Sequence, residues 1–112
     1  MTRLAVVILL GLTGVVRADG LIALDDAGIT AALTERTVTY DNGATQHFFA
    51  SGRTRYTHAE PTWGSWRVEN DQYCSLWPPA PTWDCYAVQA DGAGRITFVD
   101  QWGNATSGAR VP

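Results

Sequence analysis

The sequence predicts a mainly β fold: an antiparallel meander of seven to eight short strands, forming a small barrel or a strongly curled sheet, preceded by one short helix. Two observations support this prediction. Residues 37–110 contain short segments in which apolar and polar side chains alternate, the period expected of half-buried strands. Turn-forming residues, mostly Asn, Asp and Gly, separate these segments at short intervals, which is typical of strands that pair with their chain neighbours.

Residues 1–18 have the organisation of a secretory signal peptide. A positive charge at Arg3 precedes an apolar run from Leu4 to Val16, and the small residue Ala18 ends the segment. The run is too short to be a comfortable membrane span. We therefore predict that the signal peptide is removed and that residues 19–112 form one domain, located in the periplasm or secreted.

The predicted mature segment is acidic. It contains six arginines, no lysine and all 11 acidic residues, which gives a net charge of −5. Nucleic acids and anionic membrane surfaces both require a basic face. We therefore expect no nucleic-acid partner and no stable membrane attachment, and we expect the protein to be a monomer.

Residues 25–35 form the only helical candidate. Asp25 or Asp26 can cap its amino end, because a side-chain oxygen at that position accepts a hydrogen bond from a free backbone amide. Three apolar residues fall on one stripe: Ile29, Ala32 and Leu33. Gly28 lowers the helix propensity, so we expect two to three turns that are held against one end or edge of the sheet by packing.

The strand candidates follow the helix in order. They are Thr37–Tyr40, Gln46–Ala50, Arg53–Thr57, Trp63–Val68, Gln72–Leu76, Cys85–Ala90, Arg95–Val99 and Ala105–Arg110. The strongest turn signal is Asn42-Gly43, which predicts a type I′ hairpin with positive φ angles at both residues.

Residues 62–86 hold four of the five tryptophans and both cysteines. Within them, Trp77–Trp83 contains three prolines in four positions, which predicts an irregular loop. Cys74 and Cys85 flank this loop, and in an oxidising compartment we expect them to form a disulfide that stabilises the fold by roughly 2–3 kcal/mol. The spacing does not fit a zinc site, which needs clustered Cys and His ligands, so we predict no metal.

The titratable residues indicate no catalytic site. No Ser/His/Asp or Cys/His arrangement is apparent, and the two histidines, His47 and His58, lie far apart in the sequence. A histidine in a small β-domain is more often a packed or hydrogen-bonded residue than a base. We predict that the protein is not an enzyme and that it needs no cofactor.

The aromatic residues suggest a binding surface instead. Trp77 and Trp83 flank the proline-rich loop, and Tyr73 and Tyr86 lie near its base. Aromatic rings beside rigid prolines form a preorganised contact surface for a small ligand or a protein. The alternative is that these rings only fill the core and cover the open end of the sheet.

Four segments resemble an uncharacterised family of small secreted proteins of Gram-negative bacteria: TVTYDNG, SGRTRY, WGSWRVENDQYCSLWPP and WDCYAV. The resemblance extends from about Leu24 to the end of the chain. It implies a periplasmic or secreted β-rich domain and no particular activity.

A second resemblance is carried by SGRTRY followed by WGSW, which is similar to a pattern in periplasmic inhibitors of C-type lysozyme. Those inhibitors are small, disulfide-linked β-barrels that insert a loop serine into the lysozyme cleft. Carried over by position, the resemblance implies an inhibitory loop containing Ser51, with Tyr56 as the second matching residue.

Two functions follow as expectations. The first is a non-enzymatic domain that binds a small apolar or sugar-like ligand, or an envelope protein, through Tyr73, Trp77, Trp83 and Tyr86. The second is an inhibitor of a cell-wall hydrolase that acts through the Ser51-Gly52 turn. A large open cavity would favour the first function, and a rigid Ser51 loop above a filled core would favour the second.

Overall fold

A computed structural model describes residues 20–112, so the predicted signal peptide lies outside the described residues. These described residues form one short helix and nine strands. Their bounds are β1 Ile22–Ala23, α1 Asp26–Leu33, β2 Arg36–Tyr40, β3 Thr45–Phe48, β4 Arg53–His58, β5 Glu60–Glu69, β6 Gln72–Leu76, β7 Asp84–Ala90, β8 Arg95–Val99 and β9 Ala105–Val111. All eight strand candidates are present, which confirms the predicted mainly β fold.

Strands β2 to β9 form a closed, antiparallel, up-and-down barrel. Each strand pairs with the next along the chain, and β9 returns to β2 with Tyr40 opposite Gly108. Closure leaves no free edge among these eight strands, which removes the unpaired groups that an open sheet would expose. Of the two predicted forms, the barrel is therefore correct. The short β1 adds one further pairing to β7, with Ile22 opposite Ala90.

Helix α1 covers one end of the barrel. Asp25 caps it by accepting a hydrogen bond from the Gly28 amide at 2.8 Å. The predicted apolar stripe faces inward, and both Ile29 and Leu33 are completely buried. The helix is also fixed to the β5–β6 turn, because the carboxylate of each of Asp26 and Asp71 accepts a hydrogen bond from the backbone amide of the other.

The barrel interior differs between its two ends. Beneath the helix it is filled by large apolar side chains, all buried: Val38, Phe48, Trp66, Val88 and Ile96. The opposite end carries the turns that follow β2, β4, β6 and β8, since antiparallel strands reverse direction alternately. We call the first the closed end and the second the mouth. Both Gly20 and Pro112 adjoin strand segments at the closed end.

The turn geometry corrects one prediction. Asn42 does not have a positive φ angle, so the β2–β3 turn is not type I′. The Gly43 amide instead donates to the Tyr40 carbonyl, and Gly43 alone is left-handed, with φ of 93°. This is a three-residue loop with a terminal left-handed residue. The type I′ positions belong to Asn70 and Asp71, whose φ angles are 54° and 59°.

Cys74 and Cys85 are joined by a disulfide, as predicted. They lie directly opposite each other on β6 and β7, with their Cα atoms 4.0 Å apart. The bond therefore links the two strands next to the proline-rich loop between them. Residues 20–112 contain no helix with the length and apolar character required to cross a bilayer.

Candidate functional site

The mouth opens into a cavity of about 410 Å³. An eight-stranded barrel is just wide enough to be filled by side chains or to hold one small ligand, and here the mouth half is open. The cavity is lined by Tyr40, Asn42, Gln46, Tyr56, Thr62, Tyr73, Ser75, Trp77, Tyr86, Phe98 and Thr106. None of these lining side chains carries a charge, and six of them are aromatic.

All four tyrosines of the sequence line this cavity. Each comes from a different strand, and alternation along that strand turns its side chain inward. The ring centroids of Tyr40 and Tyr56 are 6.1 Å apart, and those of Tyr73 and Tyr86 are 5.9 Å apart. Phe98 lies between the two pairs, 6.1 Å from Tyr40 and 5.2 Å from Tyr73. The barrel thus brings four phenols from distant parts of the chain into one site.

A buried carboxamide forms the polar floor of the cavity. Gln46 is only 4% exposed, and its amide group makes three side-chain hydrogen bonds. Its Oε1 accepts from the Tyr40 hydroxyl at 2.6 Å. Its Nε2 donates to Thr54 Oγ1 at 2.9 Å and to the Tyr73 hydroxyl at 3.0 Å. Both hydrogens of the Gln46 nitrogen are donated, and its oxygen accepts the Tyr40 hydrogen. Gln46 therefore holds the phenols of Tyr40 and Tyr73 in fixed orientations.

Trp77 forms part of the cavity wall near the mouth. Its indole Nε1 donates a hydrogen bond to Ser75 Oγ at 3.1 Å. Its ring also packs edge-on against Tyr56, with centroids 6.2 Å apart. Trp77, the first residue of the proline-rich loop, is therefore anchored in the cavity wall, whereas residues 78–82 of the loop are exposed.

Three phenols of the cavity, those of Tyr40, Tyr73 and Tyr86, are held in their neutral form. Burial raises the pKa of Tyr73 to about 12, against a partial lowering by hydrogen bonds from Ser75 and Gln46. Burial also raises the pKa of Tyr40, more strongly, and the neighbouring phenols add to the rise. Burial, followed by the carboxylates of Asp84 and Asp100, raises the pKa of Tyr86. Near neutral pH these groups are hydrogen-bonding hydroxyls and do not provide anionic nucleophiles or bases.

Of the four predicted binding residues, three line the cavity and one does not. Tyr73, Trp77 and Tyr86 surround it, whereas Trp83 lies on the outer wall. There the Arg67 guanidinium sits over the Trp83 ring, 4.0 Å from its centroid. The loop turns outward after its prolines, so its two tryptophans face different environments.

Trp83 instead borders a second, outer groove beside the mouth. This groove also contains Asp84, Asp100 and Trp102, and the Trp102 side chain is 76% exposed. Asp100 is already used by its own turn, where its carboxylate accepts hydrogen bonds from the backbone amides of Trp102 and Asn104. The groove therefore offers an exposed indole beside an acidic rim.

Ser51 and Tyr56, the two residues suggested by the lysozyme-inhibitor resemblance, lie toward opposite ends of the barrel. Ser51 is exposed in the β3–β4 turn at the closed end, whereas Tyr56 lines the cavity. Tyr56 is five positions after Ser51 in the sequence, which corresponds to at most roughly 17 Å of extended backbone. They do not share one surface. The turn itself is well anchored, because Glu35 accepts a hydrogen bond from the Ala50 amide at 2.7 Å.

Neither histidine reaches the cavity. His47 is on the outer wall, where its Nδ1 is 2.8 Å from Thr37 Oγ1 and its Nε2 is 3.5 Å from Glu35 Oε1. The backbone hydrogen bond from Ala50, followed by the bond to His47, lowers the pKa of Glu35. His58 is exposed at the mouth end of β4. The His47–Glu35 pair is a contact on the outer wall, where the Glu35 side chain is 58% exposed.

In residues 20–112, one group of three side chains has atoms close enough to bind a metal ion: Glu69, Cys74 and Cys85. The two cysteines are joined in the disulfide, so their sulfurs are not available as thiolates. This group therefore does not indicate a metal centre.

Sequence reasoning did not single out several residues of the cavity. The most important are Tyr40, Gln46, Ser75 and Phe98. A signal for Gln46 was present: it shares the inward face of β3 with Phe48, and a carboxamide at an inward position of a barrel strand is unusual. Finding the others required the barrel to be closed, because closure alone places them opposite one another.

Comparison with known proteins adds no identification. No protein-family model matches the chain, and no curated protein or solved structure is detectably similar to it. The site must therefore be interpreted from its own geometry.

Proposed function

We propose that the protein is an exported, non-enzymatic binding module that holds one small, neutral ligand in the mouth of its barrel. The observation that carries this proposal is the cavity of about 410 Å³, lined by four tyrosines and by no Asp, Glu, Arg or Lys side chain. Small-molecule sites commonly enclose about 300–1,000 Å³ and combine apolar walls with a few fixed polar groups. This cavity has both properties.

The ligand is expected to be small and largely apolar. Water occupies about 30 Å³ per molecule, so the cavity would otherwise hold on the order of a dozen waters against mostly aromatic walls. Replacing them with an apolar ligand is favourable at about 25 cal/mol per Å² of apolar surface buried. A strongly charged ligand would lose its hydration without gaining a counter-charge, so ions are disfavoured.

Binding can be tested with N-phenyl-1-naphthylamine, a neutral dye whose emission rises in an apolar environment. We expect a saturable rise with a stoichiometry of one. The informative variant is Thr106→Trp, which fills the mouth, and the matched control is Thr39→Trp, which places the same ring on the exposed outer face of β2. Equal binding by both variants would place the dye outside the barrel and contradict the proposal.

Export is part of the same proposal. It rests on the signal-like segment at residues 1–18 and on the Cys74–Cys85 disulfide, which persists only in an oxidising compartment. Cell fractionation with thiol alkylation and mass spectrometry tests it. Recovery of the full-length, reduced chain from the cytosol would contradict it.

The alternative function, inhibition of a C-type lysozyme, is favoured by one observation: the Ser51 turn is both exposed and anchored by Glu35. A lysozyme assay separates the two functions. Inhibition that is lost in Ser51→Arg and retained in Thr106→Trp would favour the inhibitor, whereas absence of inhibition together with dye binding would favour the ligand-binding module.

A further inference from the structure

The orientation of the Gln46 amide follows from its neighbours. The Thr54 hydroxyl donates its hydrogen to the His47 carbonyl at 2.8 Å. A hydroxyl has only one hydrogen, so Thr54 Oγ1 must accept a bond from Gln46, which places the Gln46 nitrogen on that side. The Gln46 oxygen then faces Tyr40 and accepts the hydrogen of the Tyr40 hydroxyl.

This orientation determines which hydrogens remain for a ligand. The second hydrogen of the Gln46 nitrogen is donated to the Tyr73 oxygen, so the hydrogen of the Tyr73 hydroxyl is not used by Gln46. Ser75 Oγ accepts from the Trp77 indole, so its own hydrogen is left for the Tyr73 oxygen or for a ligand. Within residues 20–112, no side chain or backbone group outside this pair of residues accepts the hydroxyl hydrogen of Tyr73 or of Ser75. If one of the two hydroxyls donates to the other, one donor still remains.

The cavity contains two more phenol hydroxyls whose hydrogens are not used by the protein. Among the described residues, no hydrogen bond is formed by the hydroxyls of Tyr56 and Tyr86, which also line the cavity. By contrast, the strongest acceptor of the floor, the Gln46 oxygen, is occupied by Tyr40. The cavity therefore offers hydroxyl hydrogens at its floor and walls and no carboxylate to receive a hydrogen in return.

We propose that the cavity selects a neutral aromatic compound bearing a carbonyl or similar oxygen acceptor, and that this oxygen accepts a hydrogen bond from the paired hydroxyls of Tyr73 and Ser75. The proposal rests on the function proposed above and specifies its ligand class. Aromatic walls favour a flat, apolar body, and the unused hydroxyl hydrogens favour an acceptor at its inner end. A hydroxyl oxygen also accepts hydrogen bonds, but the lining contains no carboxylate, the acceptor that would most favour a donor ligand.

A pair of probes of the same shape tests this directly. In 2-acetylnaphthalene a carbonyl oxygen is present, and in 2-isopropenylnaphthalene a methylene group replaces it. The ketone is better hydrated than the alkene, so a cavity without a donor would bind the alkene more tightly. We expect the ketone to bind roughly three- to tenfold more tightly, as for one net hydrogen bond. Affinities are measured by displacement of N-phenyl-1-naphthylamine from the purified protein.

Two variants assign the donors. Tyr73→Phe and Ser75→Ala should each reduce the preference for the ketone, and the double variant should abolish it. Ser107→Ala is the matched control, because the Ser107 hydroxyl is bonded to Thr97 and does not line the cavity. A melting curve of each variant verifies folding, and the comparison of the two probes on the unmodified protein needs no variant at all.

The outcomes separate this inference from the function on which it rests. A preference for the ketone that disappears with Tyr73 and Ser75 supports the inference. Equal binding, or tighter binding of the alkene, overturns it while leaving the ligand-binding function intact. A preference that persists in the double variant overturns the assignment to these residues. Failure of the dye and both probes to bind overturns the proposed function itself.

Discussion

The indole of Trp77 lies directly against the backbone of Gly64. A methyl group added at Gly64 would come within 2.6 Å of Trp77 Cε3 and 2.7 Å of the Leu76 carbonyl oxygen. Both distances are too short for real contacts, so a glycine on β5 is what allows Trp77 to occupy the cavity wall. Trp77 can thus occupy this position because Gly64, on the neighbouring part of the barrel wall, has no side chain.

We predict that Gly64→Ala displaces Trp77 and weakens ligand binding. Overpacking of this kind costs about 1–3 kcal/mol of stability, and the indole would move toward water. The measurements are thermal melting, the wavelength of tryptophan emission and dye affinity. Gly92→Ala is the control, because an added methyl group there contacts nothing within 4 Å. Unchanged emission and affinity in Gly64→Ala would show that Trp77 does not need this glycine.

We predict that Gln46→Leu destabilises the fold although it makes the cavity floor more apolar. The substitution removes the shared partner of Tyr40, Thr54 and Tyr73. The Thr54 hydroxyl keeps its bond to the His47 carbonyl, but a buried phenol left without a partner costs about 1–3 kcal/mol. Chemical denaturation measures the loss. Gln89→Leu on the outer face of β7 serves for comparison and should have a small effect. A Gln46→Leu protein as stable as the parent would mean that water replaces the amide.

We predict that stability falls above about pH 10 because of the buried phenols. The folded-state pKa of Tyr73 is raised to about 12, whereas an unfolded tyrosine titrates near pH 10. A raised folded pKa means that the folded state keeps its proton longer, so the stabilisation is complete below pH 10 and is lost as the pH rises toward 12.

Denaturation across this pH range, in the parent and in Tyr73→Phe, tests the assignment. The variant should lose stability less steeply with increasing pH, since one of the raised pKa values is gone. Identical slopes would assign the alkaline sensitivity to other groups, such as Tyr40.

We predict that removing the disulfide lowers stability without opening the barrel. Cys74 and Cys85 close a short loop, so their bond contributes about 2–3 kcal/mol by restricting the unfolded chain. Strand pairing between β6 and β7 does not require it. Denaturation with and without reductant measures the effect, and the Cys74→Ser, Cys85→Ser variant should no longer respond to reductant. Loss of β structure on reduction would contradict this prediction.

Much of the fold could be predicted from local patterns. Alternation at Val38 and Tyr40 identified an inward face, and Asp25 followed by Ile29 and Leu33 identified a capped helix that packs on one side. These patterns work because each depends on residues close together in the chain. The same local reasoning assigned a type I′ turn to Asn42-Gly43, where the structure has a three-residue loop. It predicted a hairpin turn at residues 69–71 but not its type, which is I′ at Asn70-Asp71.

The candidate site was only partly accessible from the sequence. Tyr73 and Tyr86 were found because they lie near the prolines, and they prove to be paired neighbours on β6 and β7. Tyr40 and Gln46 come from the other side of the barrel, and their proximity to Tyr73 depends on closure between β9 and β2. No local pattern specifies such a long-range pairing. Trp83 shows the opposite case: it is only six positions from Trp77 in the sequence, yet it lies on the outer wall and not in the cavity.

The closed end of the barrel offers places for attachment. Gly20 precedes β1 and Pro112 follows β9, and both lie at the closed end, away from the cavity. A chip surface, an affinity tag or a fused reporter joined at either point would sit behind the helix, leaving diffusion into the barrel unobstructed. Immobilised protein should therefore take up ligand as readily as free protein, and the rim turns between β2 and β3 or β8 and β9 are the places where an attachment would interfere.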